Sequence, residues 1–375
     1  MEHVAVIGAN FGDEGKGHMV DYFASTGKYL NVVRFNGGPQ AGHTVELDSG
    51  YKFTFSQLGS GSLRGLNTHL SRFVLVNPIY FLREYDKFVE ETGIRPNVSM
   101  DPMCEFITPW DVHSNQATES KRGAGRHGSV GYGIFAATKR SYHTSLTAER
   151  LQFISPGALM TTLREVARFH GLAYVQRFAE EFLKATRRML EIVSRFEDFT
   201  AFRDPCIFEG AQGLLLDQNS GMFPHVTPSN TGLTNIISML EASGKEEIVR
   251  PVYVTRSYLT RHGAGPMYYP WVSDAGIYAD EMRPIGLPVD ETNHYNPWQG
   301  HLRYGQLSVD QLNYSIMKDM YAAQRAVNVE VLQAHVAMTW CNYDTGLNPC
   351  KLVGRPWKLK YESHGKTMSS VKVME

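Results

Sequence analysis

At 375 residues the chain is long enough to bury a large core, as one elaborated α/β domain or as two domains. With 37 basic against 38 acidic residues its formal net charge is -1, so no global field draws it to nucleic acid or to a membrane surface. Its four cysteines (Cys104, Cys206, Cys341, Cys350) form no CxxC pair and no metal spacing, no basic-then-apolar leader opens the chain, and no apolar run approaches about 18 residues; a soluble, cytoplasmic protein is expected.

The apolar run at 3–8 predicts a short buried strand, and Met19 to Phe23 the first turns of a helix. Between them lies Gly12-Asp13-Glu14-Gly15-Lys16-Gly17. Strand, glycine loop and helix together aim backbone N–H groups at phosphate oxygens, and Lys16 adds a positive charge. This is not a Walker A loop: Asn10 stands where the first glycine belongs, and Gly17 where Ser or Thr would hold magnesium. Two acids in a phosphate loop repel the ligand unless a cation or a proton-transfer task explains them.

A second strand, Val32 to Phe35, runs into Asn36-Gly37-Gly38-Pro39-Gln40-Ala41-Gly42-His43-Thr44. A third is predicted at Phe73 to Val76, before a helix from Pro78 to Glu91. Strands alternating with helices imply a mostly parallel central sheet with its ligand crevice at the strand ends. The basic, glycine-rich stretch 121–127 continues into Gly128-Ser129-Val130 and reads equally as a solvated loop or a phosphate clamp. Residues 159–199 predict two helices broken near Gly171, with Val175, Phe178, Phe182, Thr186, Met189, Val193 and Phe196 on a core-facing stripe. Cys206 to Phe208 reads as a strand ending in Glu209-Gly210-Ala211-Gln212-Gly213, and a polar tract follows from Asp217 to Asn235. Pro251 to Thr255 is another strand, and Thr260 to Pro266 another glycine turn. A polar stretch from Thr292 to Gln306, a helix from Ser308 to Ala326 and a late strand from Val331 to Thr339 complete the reading. With no long linker or internal repeat, one continuous domain over 1–375 with large functional loops is expected.

Five ordered blocks resemble the signatures of adenylosuccinate synthetases: Gly12 to Gly17 with Asp21; Arg34 to Gly38 ending in Ala41-Gly42-His43-Thr44; Phe208 to Gly213; Val226-Thr227 with Ser229-Asn230-Thr231; and Thr260-Arg261 with Gly263 to Pro266. The resemblance implies a fold like that of P-loop NTPases without a Walker A loop, and a Mg2+-dependent ligase joining L-aspartate to C6 of a purine nucleoside monophosphate through a 6-phosphoryl intermediate. Asp13 is then implied as the base at N1 and a magnesium ligand, the Gly42 backbone as a second ligand, His43 as the acid at the transferring phosphate, and Gln212 as the holder of the 6-position. Gly12, Glu14, Gly15, Lys16, Gly17, Gly42 and Thr44 are implied in nucleotide binding. Asn36, Gln40, Ser129, Val130 and Thr227 are implied at the monophosphate substrate. A homodimer is also implied, with Arg140 or Arg126 reaching the partner's substrate.

Three departures narrow the expectation. Where the family's donor-base block reads Thr-Lys-Leu-Asp, this chain has Thr339-Trp340-Cys341-Asn342, followed later by Ser363 and Gly365; Asn342 both donates and accepts, and Trp340 offers a stacking face, which suits adenine. The aspartate loop keeps Gly300 and Arg303 within Gln299-Gly300-His301-Leu302-Arg303. Ser129-Val130 and Gln40 also differ from the family pattern. These departures point to dGMP as acceptor and ATP or dATP as donor, as in the viral branch that makes the precursor of 2-aminoadenine; a compact synthetase using IMP and GTP is the alternative. A non-catalytic nucleotide-binding regulator is a second alternative, and a dehydrogenase is disfavoured because no G-x-G-x-x-G opens the first helix.

Overall fold

Side-chain alternation along the central strands decides the architecture. The computed structural model describes residues 1–125, 128–272, 295, 300–343, 345, 347, 352 and 355–375. Its strands are β1 (Glu2–Gly8), β2 (Asn31–Arg34), β3 (His43–Glu46), β4 (Lys52–Phe55), β5 (Asn67–Leu70), β6 (Leu75–Val76), β7 (Val98–Met100), β8 (Glu105–Phe106), β9 (Arg195–Phe196), β10 (Cys206–Glu209), β11 (Glu247–Arg256), β12 (Tyr258–Arg261), β13 (Arg303–Gln306), β14 (Val329–Val331), β15 (His335–Thr339), β16 (Lys358–Ser363) and β17 (Val371–Val373). The helices are α1 (Lys16–Ser25), α2 (Pro78–Thr92), α3 (Pro109–Arg122), α4 (Ile134–Ser141), α5 (Ala148–Phe153), α6 (Pro156–Phe169), α7 (Gln176–Ile192), α8 (Leu233–Ala242) and α9 (Val309–Ala323).

Eleven strands among the described residues join one sheet, ordered β17-β16-β15-β11-β1-β10-β2-β5-β7-β9, with β14 also on β11. All its pairings are parallel except β16 with β17. In β1, Val4 and Val6 pack with Met19, Val20 and Phe23 of α1, whereas Ala5 and Ile7 pack with Leu233, Ile236 and Leu240 of α8 and Leu312 of α9. Period-two alternation therefore buries the strand on both faces, under α1 on one side and α8 and α9 on the other. A separate cluster gathers Phe81 and Phe88 of α2, Leu163 of α6 and Phe182 of α7 around Val98 and Met100 of β7. No described helix is long and apolar enough to cross a membrane.

Most expected elements form. Helix α2 starts where Asn77 accepts from the backbone N–H of Ile79 and Tyr80, with Pro78 at the first helical position, and ends at Gly93 with φ 71. The break near Gly171 separates α6 from α7, although α7 ends at Ile192, so Val193 lies just beyond the helix and Phe196 belongs to β9. The stretch at 121–127 is partly helical, since α3 runs through Arg122. The late strand is two, β14 and β15. The third strand is corrected more deeply: only Leu75 and Val76 extend, paired with β8, while β5 (Asn-Thr-His-Leu) takes the place beside β2. Its polar side chains are satisfied inside the sheet. Thr68 Oγ1 accepts from the Gly59 N–H at 2.9 Å, and His69 Nδ1 lies 2.9 Å from Ser99 Oγ.

His69 is 1 % exposed, and burial pushes its imidazole down to about 3. As pH falls below the ordinary value near 6.5, the unfolded chain takes up a proton that the folded chain refuses, so this residue costs stability on acidification. Between pH 7 and 5 the loss is about 2 kcal/mol. His69→Gln is expected to flatten the pH dependence of the urea-unfolding free energy by about that amount. Parallel curves for variant and wild type would contradict the assignment.

Candidate active site

The carboxyl ends of five adjacent strands, β15, β11, β1, β10 and β2, deliver the candidate residues into one cavity of about 1280 Å3. Asp13, Lys16, His43, Gln212, Arg256, Thr339 and Trp340 all line it. Among the described residues, so do seven Lys or Arg residues (Lys16, Lys52, Arg122, Lys139, Arg256, Arg261, Lys366) against three acids (Asp13, Glu46, Glu119). That balance suits a polyanion, and the position at the strand ends is where open parallel sheets bind ligands.

The loop after β1 is built around Glu14. Its Oε1 accepts from the backbone N–H of Asn10 at 3.1 Å and of Gly12 at 2.7 Å, and its Oε2 accepts from Lys16 Nζ at 2.7 Å. Glu14 is buried and does not line the cavity, so it supports the loop from beneath and does not face a phosphate. Lys16, its counter-ion, does line the cavity. A Cβ on Gly8 or Gly213 would sit 2.5 or 2.7 Å from the Glu14 carboxylate, so glycine is required at both.

Asp13 follows at φ 61, in the left-handed region that non-glycine residues avoid. Its carbonyl accepts from Arg256 Nε at 2.5 Å, and its Oδ2 lies 2.9 Å from His262 Nε2. Burial alone would raise the Asp13 carboxyl; the His262 hydrogen bond and charge, with Arg256 and Lys16, hold it below the usual carboxylate range. Asp13 is therefore an anion at neutral pH.

His43 opens β3 beside Gly17, where a Cβ would come within 2.9 Å of the His43 side chain. Its Nδ1 lies 2.6 Å from Glu209 Oε1 at the end of β10, and Glu209 also accepts from the Ser60 N–H at 2.9 Å and from the Ser60 hydroxyl. Burial pushes the His43 imidazole down to about 4. Glu209 is held down at about 2 against its burial by Arg34 and His43. An anionic Glu209 accepts from Nδ1–H, which fixes the tautomer and leaves Nε2 as the ring nitrogen for a ligand. Glu209 was not foreseen as a functional residue; its position inside the Phe208 to Gly213 block was the available signal.

Gln212, at φ 58, backs onto Gly12, and its Oε1 is buried without a protein partner. Gln40 Oε1 is likewise unpartnered. An orphan acceptor in a cavity wall is satisfied by a ligand donor or by water. Asn36 does not reach the cavity: its side chain makes a two-way clasp with Ala211, accepting from its N–H at 2.7 Å and donating to its carbonyl at 3.0 Å, and so fixes the loop that carries Gln212.

Gly12, Gly15, Gly17, Gly42, Thr44, Ser129, Val130, Thr227, Asn342 and Gly365 line the cavity. Thr44 Oγ1 pairs with Thr54 Oγ1 at 2.9 Å, and Ser129 Oγ is anchored on Asn115. Trp340, at φ 64, lies under the Arg256 guanidinium at 5.0 Å. Ser363 is buried against His18 Nε2 at 2.8 Å and lies outside the cavity lining. Gly300, His301 and Arg303 also lie outside it; Arg303 donates to the carbonyls of Gly263 and Gly265. Gln299 and Arg126 fall outside the described residues.

Arg140 is corrected outright. It is fully buried inside its own chain, bonded to Glu105 and Asp111 and to the carbonyls of Phe106 and Thr144, and so cannot reach across to a partner subunit. For magnesium, the Asp13 carboxylate and the exposed backbone of Gly42 both face the cavity, a sparse oxygen set of the kind Mg2+ completes with phosphates and water.

The sequence model of the adenylosuccinate synthetase family matches residues 5–333. The adenylosuccinate synthetase of Teredinibacter turnerae is 32% identical over 292 residues, covering 71% of this chain and 64% of that protein. That of Vibrio vulnificus is 32% identical over 322 residues, covering 80% of this chain and 70% of that protein. Among solved structures, a fully ligated adenylosuccinate synthetase from Plasmodium falciparum has a TM-score of 0.74 at 16% identity over 100% of both chains. The cyanophage S-2L succinoaminodeoxyadenylate synthetase, bound to dGMP and to dATP as an energy donor, has a TM-score of 0.63 at 17% identity, over 99% of this chain and 95% of that one. These structural likenesses bear on the fold.

The Arg140 correction carries a stability consequence. Arg140→Met strips a buried cation from two carboxylates and is expected to cost about 3–5 kcal/mol, seen as a lower urea midpoint. An unchanged midpoint would contradict the structural role assigned to these ion pairs.

Proposed function

The chain belongs to the adenylosuccinate synthetase family, and from that premise we propose that it is a ligase joining the amino group of L-aspartate to C6 of a 6-oxopurine nucleoside monophosphate, driven by a nucleoside triphosphate. The observation that carries the reading is the convergence of Asp13, His43 and Gln212, from loops after three neighbouring parallel strands, on one cation-rich cavity. In the first step the purine N1–H proton passes to Asp13 while O6 bonds the γ-phosphorus and the nucleoside diphosphate leaves. In the second, the free amine nitrogen of aspartate bonds C6, the C6–O bond breaks, and phosphate departs with the proton that the nitrogen loses. Lys16 and an imidazole N–H at His43 meet the charge that moves onto the leaving diphosphate, and the Gln212 amide holds the 6-position. Mg2+, held through Asp13 and Gly42, supplies neutralisation of the phosphates when bound. With Nδ1–H given to Glu209, an Nε2–H at His43 requires the imidazolium, which the negative charge of arriving phosphates favours. Assembly as a homodimer is part of the proposal, with a cation other than Arg140 serving the partner.

On the choice of acceptor and donor, the relatives named adenylosuccinate synthetases favour IMP and GTP over the dGMP and ATP expected from the departures alone. The second reading, dGMP with ATP or dATP, keeps one specific support: Trp340 and Asn342 form part of the cavity wall, where a base with adenine's donor–acceptor edge can stack and pair.

Crossing IMP and dGMP with GTP and ATP, and measuring aspartate-dependent phosphate release, separates the readings. Turnover with IMP and GTP supports the first and turnover with dGMP and ATP the second; no aspartate-dependent release with any pair would remove the ligase. Asp13→Asn is expected to lower kcat at least about 100-fold while the purine monophosphate still binds, as calorimetry would show.

A further inference from the structure

The reaction outlined above leaves His262 without a task, yet this side chain touches the base. It follows β12 in a glycine turn, lines the cavity, and sets Nε2 2.9 Å from Asp13 Oδ2. The two side chains are only 19% and 26% exposed, so water competes weakly for this bond. Asp13 is unusual in its backbone as well: at φ 61 it holds a left-handed conformation that costs about 1 kcal/mol or more and persists only where the surroundings over-determine it. Arg256 meets that need from one side, donating Nε to the Asp13 carbonyl while its Nη1 bonds the Tyr258 hydroxyl at 2.6 Å. Arg256 ends β11, and His262 comes directly after β12, so one corner of the chain grips Asp13 at both its backbone and its carboxylate.

We propose that His262 is a positioning residue for Asp13: by donating Nε2–H to Oδ2 it fixes the carboxylate so that the other oxygen, Oδ1, is the one presented to the purine N1–H. This rests on the reading of Asp13 as the base. A general base must come within about 2.6–3.2 Å of the proton it takes, and a displacement of about 1 Å at such a group is worth on the order of 100-fold in rate. Without the donor, the hydrogen bond that holds Oδ2 is lost and rotation about the Asp13 side chain is less restrained. The Ser129 loop lies against the same turn, since a Cβ on Gly128 would stand 3.0 Å from the Gly263 Cα. The grip on the base is therefore built into the wall that also carries Ser129.

The test uses the whole chain with whichever acceptor and donor pair turns over. His262→Val removes the donor, and His262→Gln keeps a side-chain N–H donor of similar reach. His262→Val is expected to lower kcat about 10- to 100-fold, with KM for the purine monophosphate and its calorimetric Kd within about threefold of wild type and the melting temperature little changed. His262→Gln is expected to recover most of the lost kcat. A wild-type kcat in His262→Val, or a defect confined to KM, or a glutamine variant as slow as valine while still folded, would each overturn the positioning role. Asp13→Asn keeps the two claims apart. An Asp13→Asn enzyme at full rate sinks the base assignment itself, whereas loss at Asp13 without loss at His262 sinks only this inference.

Discussion

The buried Glu14 carboxylate is the constraint from which the site is assembled. An isolated carboxylate in such a place would be costly, and this one is matched by Lys16 and two backbone N–H donors of its own loop. Because its oxygens lie against Gly8 at the end of β1 and Gly213 beyond β10, the knot has no room for side chains at either glycine. Removing one methyl-sized space at those positions would push the loop away from the strands that define it. The loop is therefore held by chemistry directed inward, and Asp13, the residue next to Glu14, is left at φ 61 to face outward. One acid of the pair makes the scaffold and its neighbour makes the site.

A second layer of order comes from the sheet. Strand β1 is buried on both faces, and each of its parallel neighbours ends in a loop that enters the same cavity, so the loops that carry Asp13, Gln212 and Arg256 start from fixed strand register. The register places Val6 beside Glu209 and Glu209 beside Arg34, which sets the Glu209 carboxylate next to the cation that keeps it ionised. His43 then inherits its tautomer from a carboxylate that the sheet itself has placed. Polar groups at functional sites commonly need such a supporting partner, and here the partner sits inside a core strand.

The glycine loops, the two-faced strands and the helices with Asn77 or Ser308 at their starts were legible because each rests on local chemistry: backbone freedom, apolar alternation, or a cap within three residues. What escaped was the direction a loop side chain takes. Glu14 and Asn36, in the right loops, and Ser363, at the end of β16, point into the protein, where Lys16, Ala211 and His18 meet them. Nothing within a few residues of Arg140 announces Glu105 or Asp111, which lie 35 and 29 positions away. The same holds for His262, whose partner Asp13 is at the other end of the chain's order. Strand β5 escaped for a different reason: its Thr68 and His69 look solvated, and only the sheet supplies Gly59 and Ser99 to satisfy them.

The chemistry of the proposed acceptor explains why the residues proposed for catalysis speak clearly and the choice of substrate does not. Hypoxanthine and guanine present the same 6-oxo group and N1–H to a base, so the roles proposed for Asp13, His43 and Gln212 are the same with either. Discrimination falls instead to residues at the rim of the cavity, where Gln40 carries an unpartnered carbonyl oxygen and Asn342 is exposed. A neutral amide can turn to present its donor or its acceptor edge, whereas a carboxylate can only accept and thereby rejects a base edge that offers no donor. A wall that carries amides such as Gln40 and Asn342 excludes less than a wall built from charges. Selectivity in this cavity must then come from shape and stacking, with Trp340, fixed at φ 64 beneath Arg256, as its least adjustable surface.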